Sequence, residues 1–249
     1  MASDEHVLVI GATSMIAHES LKPYAVAGAK MTLWARSVEK LERVQGDLQA
    51  RGATLNGHAA VDVLDYPAMQ LRIDEVFQSD VPPTTVLIAY GVLPDQETAL
   101  SDLEEFVAGQ RVNFESVAVI SQLILKKFSE RNSGHLAVIS SVAGDRGRKS
   151  NFVYGSAKAG LSAYLEGWRG RLEGTGVSVA LIKPGMVDTP MTADFEKGPL
   201  FASAPTVGAG VYKALMTKRS SEYYLPGLWR WIMLIIKWIP NKIMAKLSI

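Results

Sequence analysis

Cysteine is absent from this chain. That absence excludes disulfide staples, thiolate catalysis and cysteine-ligated zinc together. Histidine is scarce: His6, His18, His58 and His135 are scattered without ligand spacing, so no metal site is expected. Excess charge is lacking as well. The 26 Lys and Arg stand against 25 Asp and Glu, a formal net charge of +1, so no global basic field points to nucleic acid. No apolar run reaches the ~20 residues that cross a bilayer. Asp4 and Glu5 precede the first apolar run, so no secretory leader is expected and the chain is expected in the cytoplasm. What is present is a sequence of 249 residues, 48% hydrophobic and 20% charged, enough for one globular domain with a core and a pocket.

Short apolar, β-branched runs alternate with longer stretches of helical period. Strands are predicted at 7–10, 30–34, 54–61, 84–90, 135–141, 177–183 and 222–225. Helices are predicted at 15–27, 38–51, 103–131 (with a break near its start) and 152–173. Strands apolar on both faces that alternate with helices imply an α/β fold: a doubly wound, parallel Rossmann sheet of about seven strands. It occupies a single domain over 1–226, followed by an apolar, basic tail over 227–249. Ligands belong at the carboxyl ends of such strands. The stretch 184–206 leaves one of those ends and holds Pro184, Pro190, Pro199, Pro205, Gly185 and Gly198, which reads as a mobile substrate lid or as a passive surface loop.

The first strand runs into Gly11-Ala12-Thr13-Ser14-Met15-Ile16-Ala17. A tight turn opening a helix presents backbone N–H groups and the helix dipole to a pyrophosphate. The usual fingerprint has three glycines, whereas Met15 and Ala17 stand at the later positions here, so the turn alone reads equally as an ordinary strand-to-helix connection. The second strand ends at Ala35, where an NAD enzyme usually places an acid for the ribose 2′-hydroxyl. Arg36 follows and can pair with a 2′-phosphate, which favours NADP with NAD as the alternative. Read without a cofactor, Arg36 is a solvated residue opening a polar helix. Asp62 can accept from an adenine amino group or serve as a turn aspartate, with Asp65 close by.

Tyr154 and Lys158 are four residues apart and share a helix face. A free tyrosine is a poor base at neutral pH, and an adjacent ammonium is expected to lower its pKa. Tyr154 can then pass a proton to or from a substrate oxygen, while Lys158 holds the nicotinamide ribose. Ser141, thirteen residues before Tyr154 at the end of a strand, can polarise the same oxygen.

These features resemble the short-chain dehydrogenase/reductase family over nearly the whole chain. The matching segments are Gly11 to Ala17, Asp62, Ile88-Ala89-Tyr90-Gly91, Asn113, Ile139-Ser140-Ser141-Val142-Ala143-Gly144, Tyr154-x-x-x-Lys158 and Lys183-Pro184-Gly185-Met186-Val187-Asp188-Thr189. The resemblance implies an NAD(P)-dependent oxidoreductase with a catalytic tetrad of Asn113, Ser141, Tyr154 and Lys158. Asn113 would hold a helix kink and a water of the proton relay. Gly11, Thr13, Ser14, Met15, Ile16 and Arg36 would hold the phosphates. Asp62, Val63, Ala89 and Gly91 would line the middle of the cofactor. Pro184, Gly185, Val187 and Thr189 would shape the nicotinamide pocket, with Tyr154 and Lys158 opposite. A homo-oligomer formed through the long helices is also implied. The family's Asn-Asn-Ala-Gly is replaced here by Ile88-Ala89-Tyr90-Gly91, a departure that touches the cofactor side rather than the chemistry.

The run from Gly144 to Ser156, the Tyr90-Gly91-Val92-Leu93 turn and the tail from Trp231 resemble a narrower subgroup, the reductases of decaprenylphosphoryl-ribose 2′-epimerase systems. That resemblance implies reduction of a 2-keto sugar on a polyprenyl phosphate, made by a partner flavin oxidase. Two features bear on it. Arg146, Arg148 and Lys149 lie between Ser141 and Tyr154 and form either a substrate-phosphate site or a solvated loop. Residues 228–239 are strongly apolar, carry Trp229, Trp231 and Trp238, and are followed by Lys242 and Lys246. Arg230 and Lys237 lie seven apart, on one helix face. This suits an in-plane helix on the inner face of a membrane, or one buried against a subunit or over the pocket. Two further readings stay open: a generic carbonyl or 3-oxoacyl reductase, and a dinucleotide-binding scaffold without catalysis.

Overall fold

A computed structural model describes residues 5–247. Asp4, used above for the leader, and the last two residues of the tail lie outside the described residues. The chain opens with β1 (His6–Ile10), α1 (Met15–Val26), β2 (Lys30–Ala35), α2 (Val38–Ala50), β3 (Thr54–Ala60), α3 (Tyr66–Gln78) and β4 (Thr85–Ile88). A short α4 (Gln96–Ser101) precedes α5 (Leu103–Gln110), which passes through one π-helical turn (Arg111–Glu115) into α6 (Ser116–Glu130). Next come β5 (Gly134–Ile139), a 3-10 turn (Val142–Asp145), α7 (Phe152–Arg171) and β6 (Val177–Pro184). A ribbon of β7 (Val187–Asp188) and β8 (Ala202–Ser203), then α8 (Ala204–Thr217), β9 (Ser221–Leu225), α9 (Leu228–Trp238) and α10 (Asn241–Met244) complete it.

Seven strands form one parallel sheet in the order β3-β2-β1-β4-β5-β6-β9, as the alternating pattern implied. β1 has both faces covered because its side chains alternate between two cores. Val7 and Val9 pack with Leu21 of α1 and Val211 of α8, while Leu8 and Ile10 pack with Ile120 of α6 and Leu161 of α7. The strand order reverses between β1 and β4, so their carboxyl ends flank the switch point where such sheets take ligands.

Several strands stop earlier than the apolar runs predicted. β4 ends at Ile88 rather than residue 90, and β5 at Ile139 rather than residue 141. Their last residues leave the ladder to build turns over the crevice; Ala89 still donates to the Ile10 carbonyl (2.8 Å) before the chain departs. The long helix breaks at Arg111–Glu115, around Asn113. The segment 184–206 is more structured than a mobile lid. Pro184 closes β6, and residues 204–206 are the first turn of α8, capped by Ser203. Between them β7 pairs with β8, and Lys197 pairs with Asp188 (3.1 Å). None of the described helices is long and apolar enough to cross a membrane.

Candidate active site

Two turns meet at the switch point. Gly11 has φ +91°, and a Cβ there would lie 2.6 Å from the Tyr90 nitrogen, so both its conformation and the closeness of the β4 turn require glycine. Tyr90 sends its hydroxyl to Ser116 Oγ (2.9 Å), toward α6, which accommodates the bulky residue that replaces the family's usual small one. Beside this contact the N-terminus of α1 opens. Ser14 makes no side-chain cap and no acid occupies the first turn, so the helix amides are left for an anion. Met15 is exposed, Thr13 and Ile16 are half-buried, and Ala17 is buried where close helix-to-strand packing needs a small residue. Arg36 is exposed just past β2. Asp62 lies two residues beyond β3, exposed, accepting from Leu64 N (2.9 Å) as in the turn alternative, with half-buried Val63 next to it.

The four expected catalytic residues converge from three elements. Asn113 is fully buried in the π-helical turn. Its Oδ1 accepts from Val92 N (3.0 Å) and its Nδ2 donates to Val92 O (2.9 Å), fastening the turn after β4 to the kink. A Cβ on Gly91 would meet Asn113 Oδ1 at 2.9 Å and Lys158 Nζ at 3.6 Å, so these groups share one crowded corner. Ser141 stands two residues beyond β5, not in it, and caps the 3-10 turn: its Oγ accepts from Ala143 N (3.1 Å). That leaves the hydroxyl proton free to point at Tyr154, with which Ser141 shares a hydrogen bond, or at a substrate.

Tyr154 and Lys158 sit near the start of α7, held against the Ser141 turn without room to shift. A Cβ on Gly155 would lie 2.9 Å from Ala143 O, and one on Gly144 2.6 Å from the Lys158 carbonyl carbon. Gln110 donates to Val153 O (2.8 Å), bracing α7 from α5. Lys158 Nζ is 5.6 Å from the Tyr154 ring centroid and makes a single long bond to Ile139 O (3.4 Å).

The electrostatics correct one expectation. Burial pushes the Tyr154 phenol up to about 12, and the Ser141 hydrogen bond only partly opposes it. Burial pulls Lys158 down to about 8, so at pH 7 it keeps its proton. Lys158 therefore does not bring Tyr154 into the neutral range: burial of the phenol decides the shift. Tyr154 is a proton donor in this state. The nearly unpartnered ammonium of Lys158, only 2% exposed, calls for further acceptors, and sugar hydroxyls of a dinucleotide would supply them. With the open α1 N-terminus, the residues present fit a nicotinamide dinucleotide.

The other expected residues divide. Ala89 and Val187 are buried, and Thr189 caps the Pro190–Thr192 turn. Pro184 is buried at the end of β6, and Gly185 faces α9: the indole of Trp229 occupies the space a Gly185 side chain would need. The basic loop is not a single phosphate cluster. Arg146 donates to Ile239 O (3.0 Å) and to Asn241 Oδ1, fastening the tail. Arg148 is half-buried with an unpartnered Nε, and Lys149 is exposed. Lys237 of α9 reaches back to Asp145 (3.2 Å), while Arg230 is exposed. Among the described residues no three His, Asp or Glu side chains gather where they could hold a metal ion.

A dinucleotide crevice at the switch point of a doubly wound sheet, flanked by serine, tyrosine and lysine, defines a class of oxidoreductase. The short chain dehydrogenase family profile matches residues 5–199, and this chain belongs to that family. It is a nicotinamide-dependent oxidoreductase. It is 35% identical over 212 residues to an uncharacterized oxidoreductase of Mycobacterium tuberculosis, covering 84% of each chain. It is 31% identical to another from Streptomyces coelicolor, covering 98% of this chain and 96% of that one. The fold matches the solved levodione reductase (TM-score 0.81, 20% identity, 91% and 98% covered). It also matches a tryptophan variant of the actinorhodin polyketide ketoreductase solved with NADPH (TM-score 0.79, 22% identity, 90% and 97% covered).

Proposed function

We propose that the chain is an NADPH-preferring reductase that converts a ketone to a secondary alcohol. The carrying observation is a Tyr154 phenol kept protonated by burial, bonded to Ser141 and set beside a buried Lys158 ammonium. When bound, the reduced nicotinamide supplies the hydride. Tyr154 gives its proton to the carbonyl oxygen as that oxygen gains charge, and Ser141 donates to the same oxygen. Lys158 holds ribose hydroxyls, and Asn113 keeps the Val92 turn in place beneath it. The ketoreductase and reductase among the structural neighbours support this direction. The segment 184–206, held by the β7–β8 pairing, serves as the substrate lid in the form of an ordered cover rather than a mobile one.

Exposed Arg36, with no acid at Ala35, supports the 2′-phosphate choice. Titration followed by nicotinamide fluorescence should show NADPH binding about tenfold tighter than NADH, and R36Q should narrow the gap. Tighter NADH binding refutes the role of Arg36.

A finer reading is a 2-keto sugar on a polyprenyl phosphate, supplied by a flavin oxidase. It is supported by the outer face of α9, where Leu228, Trp231, Ile235 and Trp238 are exposed, with Lys242 and Lys246 beyond and no acid after Glu222. Such a face suits the anionic inner leaflet of a membrane. Exposed Leu103, Val107 and Phe152 on α5 and α7 support a homo-oligomer through the long helices. Turnover of the polyprenyl-phosphate keto-pentose in anionic phospholipid vesicles should exceed that of the free keto-pentose at least ~10-fold. Equal rates would leave the reductase and remove the lipid.

A further inference from the structure

The tail helix α9 lies against the reacting end of the sheet. Its inner residues Trp229 and Met233 are buried together with Val142, the neighbour of Ser141. A Cβ on Gly185 would lie 1.8 Å from Trp229 Nε1, so the helix also rests directly on the turn after β6. One helix therefore touches both the turn that carries the Ser141 hydroxyl and the turn assigned to the nicotinamide pocket.

An ion cluster lies beneath it. Asp145, at the end of the Ser141 turn, has a side chain only 2% exposed. It accepts from Lys183 Nζ at the end of β6 (2.8 Å) and from the Tyr224 hydroxyl of β9 (2.6 Å), and it pairs with Lys237 Nζ of α9 (3.2 Å). Lys183 also reaches Glu222 (3.3 Å), which faces Arg169 of α7 (3.6 Å). Burial pushes the Asp145 carboxyl up, but the Lys183 and Tyr224 hydrogen bonds and the charges of Lys183 and Lys237 outweigh it and hold it below the ordinary carboxylate value.

The cluster solves a problem of register. α9 is apolar on its outer face as well as its inner one, so apolar contact alone would let it roll or slide at little cost. A directional charge contact to a buried carboxylate favours one seating, even though the Lys237 end is half-exposed. We propose that Asp145 is a positioning residue: through Lys237 it pins α9 as a fixed wall of the site, and α9 in turn holds the Ser141 and Gly185 turns in place. This rests on the ketoreductase reading for what the site does, though not for whether the pin exists.

The test is hydrogen exchange on the full chain, with NADPH titration alongside. Lys237 is partly exposed, and K237M leaves Asp145 bonded to Lys183 and Tyr224, so the fold survives. Exchange over 229–238 should accelerate about fivefold in K237M, the scale of a half-exposed ion pair. Exchange over 141–145 and 184–188 should accelerate with it, and the NADPH Kd should rise several-fold. K237R should restore all of these. D145N, which leaves Lys237 without its carboxylate and Lys183 with Glu222 alone, should enlarge each effect. The proposal is overturned if α9 loosens while 141–145 and 184–188 exchange as in the wild type, or if neither variant changes exchange at α9. A wild type that fails to bind NADPH removes the ketoreductase reading, while the exchange data still decide the pin.

Discussion

Replacing Tyr154 with phenylalanine is expected to lower ketone reduction about a thousandfold while leaving NADPH affinity within about threefold of the wild type. The ring stays, so the packing of α7 on the Ser141 turn is retained. Only the hydroxyl is lost, and with it the phenolic proton next to Ser141. Ser141 cannot replace it, because a serine hydroxyl that gives up its proton has no base beside it among the described residues. Its own oxygen is already occupied by the Ala143 amide (3.1 Å). The residual rate would come from positioning and from the Ser141 hydrogen bond. Single-turnover oxidation of NADPH, measured with binding on the same preparation, checks this. More than about a tenth of wild-type activity in Y154F would sink the assignment of the proton donor.

The acid–base residues were legible because their chemistry is local: Tyr154 and Lys158 are a helix turn apart, and Ser141 follows an apolar strand. The sheet was legible for a similar reason. Strands such as β1 and β4 are buried along their whole length and carry no alternation to confuse the reading. What escaped was set by partners distant in sequence. Residues 204–206 read as the end of the 184–206 loop, and no helix is predicted over 207–217, which holds Gly208 and Gly210. In the fold Pro205 sits in the first turn of α8, and Gly208 lets the helix approach α1 so closely that a Cβ would lie 2.5 Å from that of Glu19. α3, capped by Asp65, buries only Met69 and Ile73, too thin a stripe to stand out from its polar surroundings. Arg146 resembled a phosphate ligand until its partners proved to be Ile239 and Asn241, more than ninety residues away. The acidity of Tyr154 failed as an inference for a related reason. Spacing reveals that an ammonium is near, but the depth of burial, which decides the shift, belongs to the folded chain.

The same burial gives the second large expectation, which sets stability against activity at one residue. Lys158 falls from its ordinary 10.5 to about 8 because its ammonium is taken out of water. Below pH 8 the folded protein carries the whole cost of that buried charge, about 3 kcal/mol. Between pH 8 and 10.5 the unfolded chain binds a proton the folded one has released, so the cost fades as pH rises. K158M fills the same space without charge. At pH 6.5 and without cofactor it should melt above the wild type by about 5–10 °C, and the gap should narrow by about pH 9.5. Its turnover should drop at least about a hundredfold, because nothing is left to hold the ribose. Wild-type reduction should itself decline above pH 8 as Lys158 loses its proton. NADPH at a thousand times Kd should then reverse the order of melting, since about 4.1 kcal/mol of ligand stabilisation accrues to the wild type, more than the buried charge costs, and far less to the variant. A K158M protein that melts below the wild type in the free state would mean that the ammonium is satisfied within the fold, and that it is not being kept for a ligand.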